Sequence, residues 1–382
     1  MKQSRIPYSY ILTLFLLMFG CVEPYDPPYS DREIGFLVVD GFLNSGDKSA
    51  EVKLSTAMPL DTTTTDNPVR HATVQLEDEN GDIILLSETV NGVYRTISNK
   101  FETGKKFRLR VFAKSKEYIS DEVELRASPS LDSVSWRGDE KGVTVYVDSH
   151  DVAGSTRYYQ WIFKETWEYI ANKYSTYIFV KATGEVRTRN AEEQVYTCYD
   201  TETSTKVLVT TTNTNTLDVV NDFPLTFIPV GSIKTSRLYS IEVEQRALDE
   251  QAYTYWLNLQ KTTENLGGLF DPLPNEVTGN MHNVMDNSER ILGYFSGGEI
   301  QKKRIFIYRG DLPTSLQVNT EGFCPEDLIL VSKLSNYIGS DLYLIASVGQ
   351  PVTIGYTSAP GVCVDCRLAG GVLQKPGFWP PR

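Results

Sequence analysis

The cysteines are the residues of this chain whose type and spacing promise chemistry. Two lie close together in Cys363-Val364-Asp365-Cys366, while Cys198 and Cys324 stand far upstream of them. A Cys-x-x-Cys pair can exchange electrons when a helix N-terminus at the pair depresses a thiol pKa. The run that follows, Arg367 to Gly371, is poor helix material, which argues against redox work. A four-thiolate zinc site needs a second close pair, and Cys198 and Cys324 do not form one. Disulfide pairing is the default for an exported chain. Four half-cystines allow three connectivities, which sequence alone does not separate. We favour bridges that join Cys198 and Cys324 to the Cys363/Cys366 pair, because these staple the C-terminal tail to the body upstream.

Other catalytic groups are sparse. His71, His150 and His282 show neither His-x-x-x-His nor Glu-x-x-His spacing, and His150 reads as a loop residue between strands. No Gly-x-Ser-x-Gly elbow presents a nucleophile, and no Gly-x-Gly loop offers to cradle a phosphate. Carboxylates are plentiful, yet abundance does not set two of them across a scissile bond. Asp78-Glu79-Asn80-Gly81-Asp82 has oxygens a calcium ion would accept, but its plainer meaning is a hairpin turn. We expect no catalytic residue, no cofactor and no metal.

The remaining cysteine, Cys21, has a different setting. A basic head, Met1-Lys2-Gln3-Ser4-Arg5, leads into an apolar run from Ile11 to Phe19 and then Gly20-Cys21. A basic start, a short apolar segment and a small residue before the cut describe a secretory signal. The stretch from Ile6 to Gly20 carries Pro7, Ser9 and Thr13 and falls short of the roughly 20 apolar residues a spanning helix needs. Met18-Phe19-Gly20 is not an Ala-x-Ala site either. Cysteine directly after the small residue resembles a bacterial lipobox, although Phe19 is bulkier than the strict motif. That likeness implies cleavage before Cys21 and acylation of its thiol and new amine. Buried acyl chains contribute about 0.8 kcal/mol per methylene, so several of them anchor a protein durably in a bilayer. We therefore expect a signal peptide over 1–20 and lipidated Cys21 in an outer membrane, with a tether over 21–32. Pro24, Pro27 and Pro28 keep that tether extended. Glu23 and Asp26 resemble the acidic export signals of Bacteroidota surface lipoproteins, and the side of the membrane stays open.

The formal net charge of the 382-residue chain is -12, and loss of Lys2 and Arg5 with the signal would make it -14. An acidic surface without a Lys/Arg-rich run repels phosphate backbones, so nucleic acid is not expected as a partner. Twenty-two tyrosines, many Thr and Val residues and a single long helical pattern argue for mostly strand. No repeat of 20–50 residues runs along the chain, which argues against a solenoid or propeller.

Strand signals begin near Glu33. Phe36 to Phe42 and Ala50 to Leu54 flank the turn Ser45-Gly46-Asp47-Lys48. Thr73 to Leu76 meets Ile83 to Leu86, and further strands follow at Val93, Phe107 and Tyr118. In Phe107-Arg108-Leu109-Arg110-Val111 one face is apolar and the other charged, the mark of a half-buried strand. We expect a β-sandwich over 33–126. Its run from Ala72 through Gly92-Val93-Tyr94-Arg95 to Val111 resembles carboxypeptidase regulatory-like, transthyretin-type domains, which implies a supporting module. After the junction Ala127-Ser128-Pro129-Ser130, Asp132 to Trp136, Val143 to Val147 and Tyr158 to Phe163 look like the opening strands of a fibronectin-III-like sandwich, expected over 127–382. Trp136, Tyr159, Trp161 and Phe163 read as core. Leu248, Ala252, Trp256 and Leu259 recur at helical spacing, predicting an amphipathic helix over 248–266 that Gly267-Gly268 ends. The fold class is mainly β, two consecutive sandwiches with one inserted helix.

Three stretches resemble one family: Ala247 to Trp256 with Gly268-Leu269-Phe270-Asp271-Pro272; Gly293-Tyr294-Phe295-Ser296 before Lys303 to Ile307; and Cys363 to Arg367 with Gly370-Gly371 and Lys375 to Trp379. They are similar to Bacteroidota outer-membrane lipoproteins whose shared domain has no assigned function. Such proteins tend to be encoded beside TonB-dependent receptors. The resemblance implies a non-catalytic accessory role at an importer, with a TonB-dependent barrel as partner. The alternatives are a structural or adhesive envelope protein, or an extracellular hydrolase. The aromatic tail Phe378-Trp379 reads as a cover for the chain's own core.

Overall fold

A computed structural model describes residues 35–58, 67–264, 277–317, 322–337 and 341–381. The expected signal, Cys21 and the tether lie outside these residues, as do Leu266 and Gly267-Gly268.

Eight strands open the chain: β1 (Leu37–Asn44), β2 (Ser49–Thr56), β3 (Thr73–Asp78), β4 (Ile83–Val90), β5 (Val93–Ile97), β6 (Lys106–Ala113), β7 (Lys116–Ser120) and the short β8 (Val123–Glu124). All pairings among them are antiparallel, running β7-β6-β3-β4-β5-β2-β1 with β8 on β6. Alternation does the folding work. Val39 and Leu43 of β1, Val52 and Leu54 of β2, and Phe107, Leu109 and Val111 of β6 enter one buried cluster. Asp40, Phe42, Arg108 and Arg110 point the other way, as period-2 patterning demands.

The second body has two sheets. One is β9 (Leu131–Asp139) and β10 (Gly142–His150) with β16 (Val219–Pro229), in the order β16-β10-β9. The other is built on β11 (Tyr158–Ile170), flanked by β14 (Thr197–Thr203), β15 (Leu208–Thr211) and β17 (Leu238–Leu248). A separate hairpin joins β12 (Tyr177–Val180) to β13 (Glu185–Thr188). Val145 and Val147 face Tyr159, Trp161, Phe163, Ile241 and Val243 across the core. Trp161 is fully buried and stacks on Phe223 at 4.5 Å. The aromatic face of β11 is core as expected, and Trp136 packs partly buried against it.

The helix α1 (Glu250–Glu264) begins two residues later than its periodicity predicts. Leu248 still belongs to the β17 ladder, opposite Tyr158, and Asp249 caps the helix by accepting from the Ala252 N–H at 2.7 Å. Its Ala252 and Tyr255 pack on Val209 and Leu248 of the second body and on Tyr294.

Tyr294 belongs to a segment that corrects the expected boundary at 126. The strand β18 (Met281–Asn283) pairs with β7, and β19 (Ile291–Gly298) lies parallel to β1 from Leu37↔Ile291 to Asn44↔Gly298. Met281, Ile291 and Phe295 enter the first core. The free edge of β1 is thus covered by chain from far downstream, which settles an otherwise exposed strand edge. Gly293 makes the close approach possible. Its φ is +95°, and a Cβ there would lie 1.9 Å from the Val39 carbonyl oxygen. One residue after β19 the chain enters β20 (Ile300–Tyr308), which pairs with β17, so one continuous run serves both bodies. A small sheet of β21 (Asp327–Leu330), β22 (Leu342–Val348) and β23 (Gly355–Pro360) follows in the order β21-β23-β22. Among the described residues no helix is long and apolar enough to cross a membrane.

Candidate functional site

The four paired-off cysteines build a strap. Cys198 on β14 bonds Cys366, with Cα atoms 5.7 Å apart, and Cys324 bonds Cys363 at 5.8 Å. Both bridges therefore join an upstream cysteine to the Cys-x-x-Cys pair, and no described thiol is left as a nucleophile or metal ligand. The Tyr169 hydroxyl donates to the Cys366 carbonyl at 2.9 Å. Val372 and Tyr199 exchange two backbone bonds at 2.8 Å. Gly371 lies so close that a Cβ would stand 2.3 Å from the Tyr169 hydroxyl. Trp379 closes the strap, its indole N–H donating to Glu168 at 3.0 Å and its ring meeting Tyr199 and Phe306 edge-on. The tail covers the chain's own core, as its composition predicts.

Asp365 holds the turn between the two bridges. It accepts from the Arg367 guanidinium at 2.8 and 2.6 Å, from the Tyr343 hydroxyl at 2.8 Å and from the Arg367 N–H at 3.0 Å. Arg367, then Tyr343, hold this carboxyl below the usual carboxylate range against the opposing effect of burial. A depressed folded pKa contributes stability that is fully present above the unfolded value near 3.9 and is lost as pH falls through the lower folded value. Asp365→Asn is expected to cost about 1–2 kcal/mol at neutral pH, with the gap to wild type narrowing as pH falls below the unfolded value of about 3.9. Denaturant melts of both proteins from pH 7 to pH 2 check this, and a constant gap would contradict it.

The histidines do not converge on a site. His150 is the last residue of β10, not a loop residue as its sequence context suggests, because the ladder with β16 runs that far. Its Nδ1 lies 2.7 Å from Asp132. His282 on β18 meets Asp121 at 3.0 Å, and His71 lies 3.7 Å from Glu88. In the Asp78 turn the carboxylate accepts from the Asn80 and Asp82 N–H groups, both at 2.9 Å, which is turn chemistry. Among the described residues no group of three His, Cys, Asp or Glu side chains is placed to hold a metal.

Two cavities among the described residues bear on function. A groove of about 870 Å³ on the first body runs between Asn67–His71 and Lys114–Glu117, with Glu289 at its side. Glu289 already accepts from Lys116 at 2.9 Å and Tyr118 at 3.0 Å. The second, a cleft of about 530 Å³, lies where the two bodies meet. Its first wall is the outward side of β1 and β2, with Asp40, Phe42 and Glu51. Its second is the outward side of the five-stranded sheet, where Gln160 of β11 and Arg246 of β17 are direct cross-strand neighbours. Trp256 of α1 reaches in from the side. The Arg246 guanidinium stacks 3.9 Å over the Phe42 ring, joining the walls, and burial lowers its pKa. Glu244 and Lys302 neutralise each other at 2.6 Å. Sequence reasoning missed this cleft because its residues come from two sheets and a helix. The available signal was Gln160, a polar residue set between the core residues Tyr159 and Trp161.

These features define a mainly β protein of two sandwiches, with its cysteines in structural bridges and a polar cleft at the seam. The chain belongs to the family described as "Domain of unknown function (DUF4249)", whose match spans residues 22–304. No curated protein matches it. Among solved structures it is similar to a two fibronectin type-III domain segment from chicken tenascin, at 10% identity over 56% of this chain and 91% of that one. The TM-score is 0.17, so the fold assignment rests on the strand pairing and not on this likeness.

Proposed function

We propose that this protein is a lipid-anchored, non-catalytic binding component of a TonB-dependent import system in an outer membrane. The observation that carries the reading is Gly20-Cys21 directly after a short apolar run with a basic head, which supplies a membrane address. The described body supports the binding half: two sandwiches with a cleft at their seam. The resemblance of the first sandwich to supporting modules and of the whole chain to lipoproteins encoded beside TonB-dependent receptors supplies the partner. Anchoring by the Cys21 lipid and the proline-rich tether keeps the local concentration at a barrel high, so weak contacts suffice.

The test is purification of the tagged, lipidated protein from its own outer membranes in mild detergent, followed by mass spectrometry of what accompanies it. A TonB-dependent barrel in stoichiometric amount is expected, and Cys21→Ala is expected to leave the membrane fraction and lose the barrel. A lone lipoprotein would overturn the importer reading in favour of a free-standing structural or adhesive envelope role. Cys21→Ala retained in the membrane would overturn the anchor.

A further inference from the structure

We propose that the end of the first sandwich where the chain enters sits on the bilayer, with Val90, Val284 and Met285 among the lipid headgroups. This rests on the reading of the chain as lipid-anchored and names the face turned to the membrane. The two ends of the sandwich differ. β1 and β19 run from the entry end, at Leu37 and Ile291, to the seam, at Asn44 and Gly298. Gly35 is the first described residue, and the Phe36 carbonyl accepts from the Ala57 N–H at 2.9 Å, just past the end of β2. Fourteen residue steps separate Gly35 from Cys21, a reach of about 50 Å at full stretch. Any shallower course of that tether brings the entry end down to the surface, while the second body lies beyond the opposite end.

The entry end carries uncovered apolar side chains. Met285 is 89% exposed, Val90 61% and Val284 48%. They stand on neighbouring connections. The Val284 N–H donates to the Glu117 carbonyl at 3.0 Å, beside the turn from β6 to β7, where Lys114 Nζ reaches Thr56 Oγ1 at 3.2 Å. Val90 shortly precedes Gly92, whose N–H donates to the Glu88 carboxylate at 2.9 Å, and the same carboxylate accepts from the His71 N–H at 2.9 Å. His71 lines the groove of about 870 Å³ with Arg70, Lys114 and Met285. Charge does not choose the occupant, because Glu88, Glu289 and the exposed Asp286 stand among these cations. Position and apolar exposure do. Apolar tips beside a lipid tether insert shallowly, and long basic side chains next to them reach headgroup phosphates. Lying flat would instead desolvate the outer strand face, with its Arg95–Glu51 pair at 2.6 Å and Arg110–Glu77 pair at 2.7 Å.

The chain's five tryptophans, from Trp136 to Trp379, all lie outside the first sandwich, so one placed there reports its own surroundings. The experiment reconstitutes the full-length lipidated protein into vesicles of phosphatidylethanolamine and phosphatidylglycerol, with and without bromine on the acyl chains near the headgroups. Met285→Trp and Val90→Trp are each expected to lose roughly half of the emission they add, as fits a side chain at the headgroup boundary. Ile97→Trp is the control, at a residue 77% exposed at the seam end of β5, and should keep its emission as the wild type does. Val90→Trp serves if Met285→Trp misfolds. The proposal is overturned if neither entry-end tryptophan is quenched. It is also overturned if Ile97→Trp is quenched as strongly, since the body would then lie flat. Protein that leaves the vesicles overturns the anchor and this inference with it. Protein that stays, unquenched at both entry-end positions, removes this inference alone, and the barrel co-purification is scored separately.

Discussion

Trp161→Ala is expected to lower the unfolding free energy of the second sandwich by about 4–8 kcal/mol. Trp161 has no exposed surface and is stacked against Phe223 at 4.5 Å and Tyr159 at 5.8 Å. Truncating a buried aromatic to alanine typically costs about 3–5 kcal/mol in lost transfer energy and cavity. The remainder comes from hydrogen bonding. The indole N–H donates to Gln245 Oε1 at 3.0 Å, and the Gln245 amide donates to the Pro129 carbonyl at 2.6 Å. Gln245 is fully buried, so its orphaned oxygen would cost about 1–3 kcal/mol more. Domains are stable by only about 5–15 kcal/mol, so the change approaches complete unfolding of this body. Denaturant melts followed by near-ultraviolet circular dichroism measure it. Trp161→Phe should keep most of the stack and lose the second part plus the smaller cost of the missing ring volume, so it should cost clearly less than alanine, and equal costs for the two variants would refute the division.

Removing the Cys198–Cys366 bridge by paired alanine substitutions is expected to destabilise the protein more than removing Cys324–Cys363. The first bridge closes a sequence separation of 168 residues and the second one of 39. Chain entropy alone assigns them about 5 and about 4 kcal/mol, with measured losses commonly about 2–5. The larger difference lies in what each holds. Cys198 is fully buried in the main core, and Cys366 brings with it Gly371, Val372 and the Trp379 closure. Loss of that bridge should therefore free the tail as well as weaken the core. Denaturant midpoints with and without reductant give the first effect, and protease cleavage between Arg367 and Lys375 gives the second. Non-reducing mass spectrometry of the native protein fixes the pairing, and four free thiols would sink the strap altogether.

Much of this was legible from local pattern. Phe107, Leu109 and Val111 face inward and Arg108 and Arg110 outward because a strand has period 2, and no longer-range knowledge is needed to see it. The aromatic face of β11 follows from the same rule. The strap was readable from the position of a close cysteine pair near the C-terminus, though its connectivity depends on which residues β14 brings beside Tyr169. What escaped was non-local. Nothing within a few residues of Gly293-Tyr294-Phe295-Ser296 says that it pairs with Leu37 to Asn44. The glycine and the buried Phe295 make sense only once β1 is beside them. The cleft was hidden for a related reason. Asp40, Phe42, Gln160, Arg246 and Trp256 are unremarkable apart and meet only through the packing of two sheets and a helix. The helix start was misplaced because Leu248 fits both a 3.6-residue and a 2-residue period, and the strand ladder claimed it.

The parallel pairing of β1 with β19 also sets an order of events in time. A chain emerging from its N-terminus presents β1 through β8 with both rims bare, and the strands that cover β7 and β1 arrive only with Met281 and Ile291. All of the second body's strands up to β17 have been made by then, so the bodies mature together and not one after the other. Contacts of such long sequence separation slow folding and leave apolar edges uncovered meanwhile. The exposed charge of Asp40 on the waiting β1 works against another chain taking the place reserved for β19.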